Sequence, residues 1–254
     1  MYIDTHCHLD SSSYDSIEDI IKRIENNIII VSGFDNKSNH EVLDLCSRYS
    51  NIYGTIGIHP TEITDHIDED LQFINNSLHH PKIVGIGEIG LDYHWNATNR
   101  KQQKKYFKRQ IEMAIQNRKT IVIHSRDAAQ DTYDILNQYD LSNMKVVMHC
   151  YSYSLEMAQK FLRMNIKLGI GGVLTFKNSH KLKEIVEKLD LCHFVLETDS
   201  PYLAPEPYRG KKNEPSYIVY VAKKIAKIKG ISLEEVLAKT TLNAIAQFDL
   251  KDII

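Results

Sequence analysis

Eight short runs rich in Ile and Val recur along the chain, at Tyr2–His6, Ile28–Phe34, Ile52–His59, Lys82–Gly87, Thr120–His124, Lys145–His149, Ile166–Gly172 and His193–Thr198. They are continuous rather than alternating, the character of parallel strands buried on both faces. Between them apolar residues fall at three- and four-residue spacing, which predicts helices. These cover Asp15–Glu25, Ser38–Tyr49, Asp68–Leu78, Asn99–Gln116, Ala128–Gln138, Ser154–Leu162 and Ser179–Lys188, with Ser216–Lys229 and Leu233–Gln247 following the last strand. Ser232 with Glu235 three residues later reads as a capping box. Strand–helix beats of this kind build right-handed βαβ units. Their number and the chain length predict a (β/α)8 TIM barrel, although an open doubly wound sheet would share the rhythm. No linker, charge block or low-complexity tract interrupts the pattern, so a single domain over residues 1–254 is expected.

Composition narrows the function. Hydrophobic residues at 43% and charged residues at 25% exclude disordered and fibrous classes. Lys and Arg number 31 against 33 Asp and Glu, a net charge of −2, so the whole molecule is no polycation. Any grip on nucleic acid must come from a local basic patch or from metal ions. No apolar run approaches ~18 residues, which predicts no membrane span. Cys7, Cys46, Cys150 and Cys192 lack C-x-x-C spacing and are too sparse for a disulfide framework, which favours a reducing, cytoplasmic setting. The opening Met-Tyr-Ile-Asp-Thr-His has neither the basic nor the apolar region of a signal peptide and reads as a strand. Walker A and G-x-S-x-G motifs are missing.

Ligand-type residues gather where the runs stop. The first ends Asp4-Thr5-His6-Cys7-His8, and in extended chain His6 and His8 share a face while Cys7 points away. The fourth gives way to Glu88 among glycines, a carboxylate costly to bury without a cation or partner. The fifth and sixth end in His124 and His149, and the eighth in Glu197-Thr198-Asp199 with Asp199 nearest the top. A lone histidine at a strand end is commonly a satisfied core residue; two at the same relative position in successive strands point to a shared role. Strand C-termini of a barrel converge on one rim, which would bring His6, His8, Glu88, His124, His149 and Asp199 together. Four histidines and two carboxylates exceed the needs of one tetrahedral ion and suit two divalent cations about 3.5–4 Å apart. The expected division gives His6, His8 and Asp199 to one ion and His124 and His149 to the other, with Glu88 and a water bridging. Asp199 is then placed to take the proton of that water. The ligand types admit Zn²⁺, Mn²⁺ or Mg²⁺.

These segments resemble a known family. Asp4-Thr5-His6-Cys7-His8, Gly57-Ile58-His59-Pro60, Gly87-Glu88-Ile89-Gly90-Leu91-Asp92-Tyr93, Ile123-His124-Ser125-Arg126, His149-Cys150-Tyr151-Ser152, Thr175-Phe176-Lys177, Glu197 through Pro205, and Arg209 through Pro215 follow the order and spacing of the TatD-type metal-dependent hydrolases. Each motif is weak alone; the ordered set is specific and spans the chain from Ile3 to the last helix. The resemblance implies an amidohydrolase-type TIM barrel and a cytoplasmic, metal-dependent deoxyribonuclease, often a 3′→5′ exonuclease on single strands. It carries the family's metal ligands onto the same six residues found above. Tyr151 and the His94-Trp95 pair depart from the family's common wording and touch substrate preference. Some relatives are reported to deacylate D-aminoacyl-tRNA, so an ester or amide hydrolase on the same metals is the alternative. A non-catalytic binding protein would be expected to have lost a ligand, and none is missing.

Arg126, Lys177 and Arg209, with Lys211 and Lys212, lie in loops on the expected active rim and offer phosphate contacts; otherwise they are solvated charges. Tyr93, Trp95, Phe176 and Tyr202 share those loops and can stack on bases or pack within them. His59 is read as supporting the ligands or touching a phosphate. Lys101, Lys104, Lys105 and Lys108 make one helical stripe, a pattern most often just a solvated face. No obligate protein partner is evident.

Overall fold

All eight apolar runs become strands of one parallel sheet in a computed structural model that describes residues 1–250; residues 251–254 of the expected domain lie outside the described residues. The strands β1 (Ile3–Cys7), β2 (Ile28–Ser32), β3 (Ile52–Ile56), β4 (Ile83–Asp92), β5 (Thr120–Arg126), β6 (Val146–Met148), β7 (Ile166–Ile170) and β8 (Phe194–Leu196) pair in sequence order. Seven crossover helices run between them: α1 (Ile17–Arg23), α2 (Asn36–Arg48), α3 (Ile67–Ser77), α4 (Arg100–Asn117), α5 (Ala129–Leu136), α6 (Leu155–Arg163) and α7 (His180–Lys188). After β8 come α8 (Ile218–Lys229) and α9 (Leu233–Phe248). The architecture is a nearly closed (β/α)8 TIM barrel.

The two-residue period of the strands divides the core. Ile28 and Ile30 point inward with Ile3, Val122, Val147 and Val195, whereas Ile29, Val31, Ile121 and Ile123 join the layer beneath the helices. This is why the runs read as continuously apolar: each strand is covered on both faces. At the strand starts α9 supplies the barrel floor, with Ala244, Phe248 and Leu250 packed on the inner group. Its polar residues dock it there, Gln247 Nε2 donating to Val146 O at 3.0 Å and Asn243 Nδ2 to Phe194 O at 2.8 Å. Of the expected capping box on α9, the Ser232 half forms, accepting from Glu235 N at 3.1 Å.

Individual bonds join β8 to β1. Thr5 Oγ1 donates to Leu196 O at 2.9 Å, Asp199 N to His6 O at 2.9 Å and His8 N to Ser200 O at 2.7 Å. Buried Asp4 accepts from Thr198 N and Oγ1 at 2.9 and 2.5 Å. The seam therefore ties the segment bearing His6 and His8 directly to the one bearing Asp199.

No helix among the described residues is long and apolar enough to cross a membrane. The four cysteines are free thiols, as their spacing predicts. Replacing Phe248, 1% exposed, with Ala is expected to open the barrel floor and cost about 3–5 kcal/mol in urea unfolding. A loss under about 1 kcal/mol would mean that the floor carries little of the stability.

Candidate metal centre

The strand carrying Glu88 is longer than its apolar run suggests. β4 continues from the expected end at Gly87 through Glu88 to Asp92, pairing Gly90 with His124 and Asp92 with Arg126 on β5. Between Ile86 and Ile89 it carries one residue more than β5 does between Ile121 and Ile123, a bulge that holds Gly87 and Glu88. Bulges re-aim side chains, and this one turns Glu88 into the barrel mouth. Gly90 follows at φ 150°, where an added Cβ would lie 1.9 Å from His124 O, so only glycine lets β4 pass β5 there.

His6 and His8 lie on one side of β1 with their Nε2 atoms 3.3 Å apart, while Cys7 Sγ turns away to Ile30 O. Glu88 Oε2 is 3.4 Å from His6 Nε2 and 3.6 Å from His8 Nε2. Its other oxygen, Oε1, is 2.7 Å from His124 Nδ1 and 3.5 Å from His149 Nε2. Asp199 Oδ1 lies 3.5 Å from His8 Nε2 and 3.8 Å from both His6 and His149. All six expected residues thus converge, and Glu88 is divided between two donor sets. Asp199 lies three residues beyond the end of β8, with a left-handed φ of 55°.

Sequence reasoning missed the groups behind the histidines. His8 Nδ1 donates to Ser32 O at 2.8 Å, and Ser32 Oγ is 3.1 Å from His6 Nδ1. Asp92 Oδ2 meets His124 Nε2 at 2.9 Å. Glu197, fully buried, lies 3.2 Å from His149 Nδ1 and accepts from Cys150 N at 2.6 Å. Gly169 makes the space for it, since a Cβ there would stand 2.2 Å from Glu197 Oε2. Carboxylates and carbonyls behind imidazoles orient metal-ligating histidines. Both acids stand in the motifs as written, Asp92 four residues after Glu88 and Glu197 two before Asp199, but only the fold shows which ring each supports.

A family model described as "TatD related DNase" matches residues 3–249. The chain belongs to the TatD-related family. It is 41% identical to the uncharacterized metal-dependent hydrolase YabD of Bacillus subtilis, over 96% of this chain and 97% of that one. The uncharacterized metal-dependent hydrolase YcfH of Escherichia coli K12 is 32% identical, over 95% and 93%. Among solved structures, YjjV, a TatD homologue from E. coli K12, superposes with a TM-score of 0.90 at 26% identity, covering 98% of each chain. The TatD-related chain is accordingly a metal-dependent hydrolase.

Its donor chemistry fits a cation. Since His8 commits Nδ1–H to Ser32 O, a neutral His8 turns its Nε2 lone pair toward His6 and two carboxylates. Without protons or a metal those lone pairs repel; separations near 3.4 Å are what ligand atoms ~2.1 Å from a common ion adopt. Among the described residues, Glu88 and Asp199 have only histidines as ion-pair partners. His149 Nδ1 and Glu197 Oε1 are 3.2 Å apart but outside hydrogen-bond geometry, and buried Glu197 Oε2 has no partner. The protein alone satisfies this cluster by protonation. Burial opposes charge on His149, but Glu197, Glu88 and Asp199 outweigh it and raise its pKa to about 10. Burial likewise disfavours an ionised Glu88, yet His149, His124 and His6 hold it well below the carboxylate range.

The rim residues separate into three groups. Arg126 and Arg209 are exposed and each covers an aromatic ring, Arg126 at 5.5 Å from Trp95 and Arg209 at 4.1 Å from Phe176; Lys177 is exposed beside Phe176. His59 sits within the cluster, its Nε2 3.8 Å from Glu88 Oε1 and Nδ1 2.7 Å from Thr61 Oγ1. Burial, then His124, lowers its pKa to about 3. Tyr93 is buried, its hydroxyl donates to Asp131 at 2.6 Å and Arg100 stands 4.1 Å over its ring. The α4 stripe also pairs locally, Lys104 with Asp131 and Lys108 with Gln138.

The site sets a pH profile for the metal-free protein. His149, raised from 6.5 to about 10, contributes stability that is complete below pH 6.5 and fades as pH rises toward 10. Glu88, depressed from 4.5, contributes above about pH 4.5 and loses that contribution as pH falls. The Tm of chelator-treated protein is expected to peak between these limits, and Glu88→Gln to flatten the alkaline slope. Parallel wild-type and Glu88→Gln profiles would refute this account of the cluster.

Proposed function

We infer that the chain is a cytoplasmic, single-domain, metal-dependent deoxyribonuclease that hydrolyses DNA phosphodiester bonds, as a 3′→5′ exonuclease on single strands. The observation that carries this reading is the division of Glu88, one oxygen toward His6 and His8 and the other toward His124 and His149. That arrangement suits two divalent cations of Mg²⁺, Mn²⁺ or Zn²⁺ type, His6, His8 and Asp199 holding one and His124 and His149 the other, with Glu88 between. When bound, the pair would activate a water and neutralise charge on a phosphoryl group under in-line attack. The family description as DNase-related supports the substrate class.

The protein's own groups supply the remainder. Asp199 is buried, yet His149 and His8 keep its pKa below the ordinary value, so it is ionised and able to accept the proton of the attacking water. His59, kept neutral, presents Nε2 beside Glu88 and can hydrogen-bond a phosphate oxygen only as its Nε2–H tautomer. Thr61 fits that tautomer, because its backbone N–H donates to Nδ1 at 3.2 Å. Arg126, Arg209 and Lys177 stand on the rim to receive phosphates on either side of the scissile bond, and Phe176 under Arg209 is a base contact. With a net charge of −2, this local placement is what draws a polyanion.

Metal-reconstituted protein is expected to shorten end-labelled single-stranded DNA, with Glu88→Ala and Asp199→Ala each losing at least about 100-fold in kcat. The decisive assay runs that strand beside the equivalent ribonucleotide and D-aminoacyl-tRNA. Deacylation without DNA cleavage would replace the nuclease with an ester hydrolase on the same metals; metal-dependent turnover surviving in either variant would remove the assignment of that residue.

A further inference from the structure

Trp95 is the only tryptophan in the chain and is 71% exposed, a large aromatic surface left in water. It does not ride on a loose loop. Asp92 Oδ1 accepts from the backbone N–H groups of His94 and Trp95 at 2.9 and 2.8 Å. Gln103 of α4, wholly buried, braces the same turn: its Oε1 accepts from Asp92 N at 2.9 Å and its Nε2 donates to Asp92 O and Asn96 O, both at 2.9 Å. All three hydrogen bonds of that buried amide hold residues 92–96. An ordered turn presenting an exposed indole has already met the entropy cost of display, which is the condition for a useful contact surface.

Its position is tied to the metal centre. The second oxygen of Asp92 is the one that meets His124 Nε2 at 2.9 Å, and the other nitrogen of His124 faces Glu88. One carboxylate therefore spaces the indole from a ligand of the site. Beside the ring stand Arg126, with its guanidinium 5.5 Å from the indole, and His94, edge-on at 4.8 Å. A cation for a phosphate next to a flat aromatic for a base is the complement of a single nucleotide.

We propose that Trp95 is a nucleobase-stacking subsite, which with Arg126 seats one nucleotide of the strand and sets its register against the metal centre. The inference rests on the nuclease reading above and adds to it a second base contact, in addition to Phe176. Stacking uses a π-face that every base offers, so the subsite is indifferent to sequence but requires a base. It distinguishes a nucleic acid strand from a bare chain of sugar phosphates, which the metal ligands and rim cations alone would not.

Intrinsic fluorescence tests this directly, because all indole emission comes from Trp95. Metal-loaded protein is titrated with a phosphorothioate-linked thymidine oligomer, up to concentrations that suppress turnover of a labelled strand. Quenching is expected with the same midpoint as inhibition, and an abasic oligomer of equal length should leave the emission unchanged. Trp95→Ala is expected to raise KM for the thymidine strand about 5- to 100-fold and to erase the preference for it over the abasic strand, with Trp95→Phe restoring most of both. Suppressed turnover with silent emission, or an intact thymidine-to-abasic preference in Trp95→Ala, would overturn the assignment while leaving the nuclease standing. A wild type that cuts no DNA strand with Mg²⁺, Mn²⁺ or Zn²⁺ would instead remove the nuclease reading, and this inference with it.

Discussion

The structure turns on one buried carboxylate. Glu88 is 4% exposed and surrounded by imidazoles, a placement that would be prohibitive for an unpaired charge. Positive charge is therefore required in the barrel mouth, whether as protons on the histidines or as cations between them. The bulge in β4, the close passage at Gly90 and the seam between β1 and β8 all serve to bring donors from distant strands to within 2.7–3.8 Å of its two oxygens or of Asp199. Because the donors come from separate strands, the fold and the site are one construction: loosening the barrel separates the ligands.

Buried amides and acids hold the rim in shape where strand pairing has ended. Asn39 clasps Gly57 through both its side-chain atoms, Gln110 does the same for Ile58, and Gln103 braces the turn after Asp92. Each replaces ladder hydrogen bonds that the chain gives up on leaving the sheet, at 0–1% exposure where an unmade bond is most costly. Rigid support of this kind lets loops carry side chains with the precision that a metal centre demands. Asp92 shows the economy of it, since one carboxylate serves both His124 and a turn.

What could be read along the chain was whatever depends on local pattern. Ile28 and Ile30 face the barrel interior and Ile29 and Val31 the helices, so both faces are apolar and the strand announces itself. His124 and His149 stand out because they end successive runs at the same relative position. Tyr93 and Trp95 show the limit: both are aromatics of one loop, yet the first is buried against Asp131 and Arg100 while the second, with Arg126 beside it, stays 71% exposed. Asp131 lies 38 residues from Tyr93, and no periodicity encodes that pairing.

By itself the sequence determined the strand–helix rhythm, the histidines and carboxylates that follow the strands and the near-neutral charge, because these follow from residue type and spacing. Only the tertiary structure decided that Glu88 belongs inside a strand rather than at its end, that its two oxygens face different histidines, and that Asp92 and Glu197 stand behind them. Those relations arise where chain segments far apart in sequence close a barrel, and distances of 2.7 Å or 3.5 Å are set by that closure and by a one-residue bulge. Residue identity supplies the chemistry; the shape of the barrel mouth determines which atoms share it.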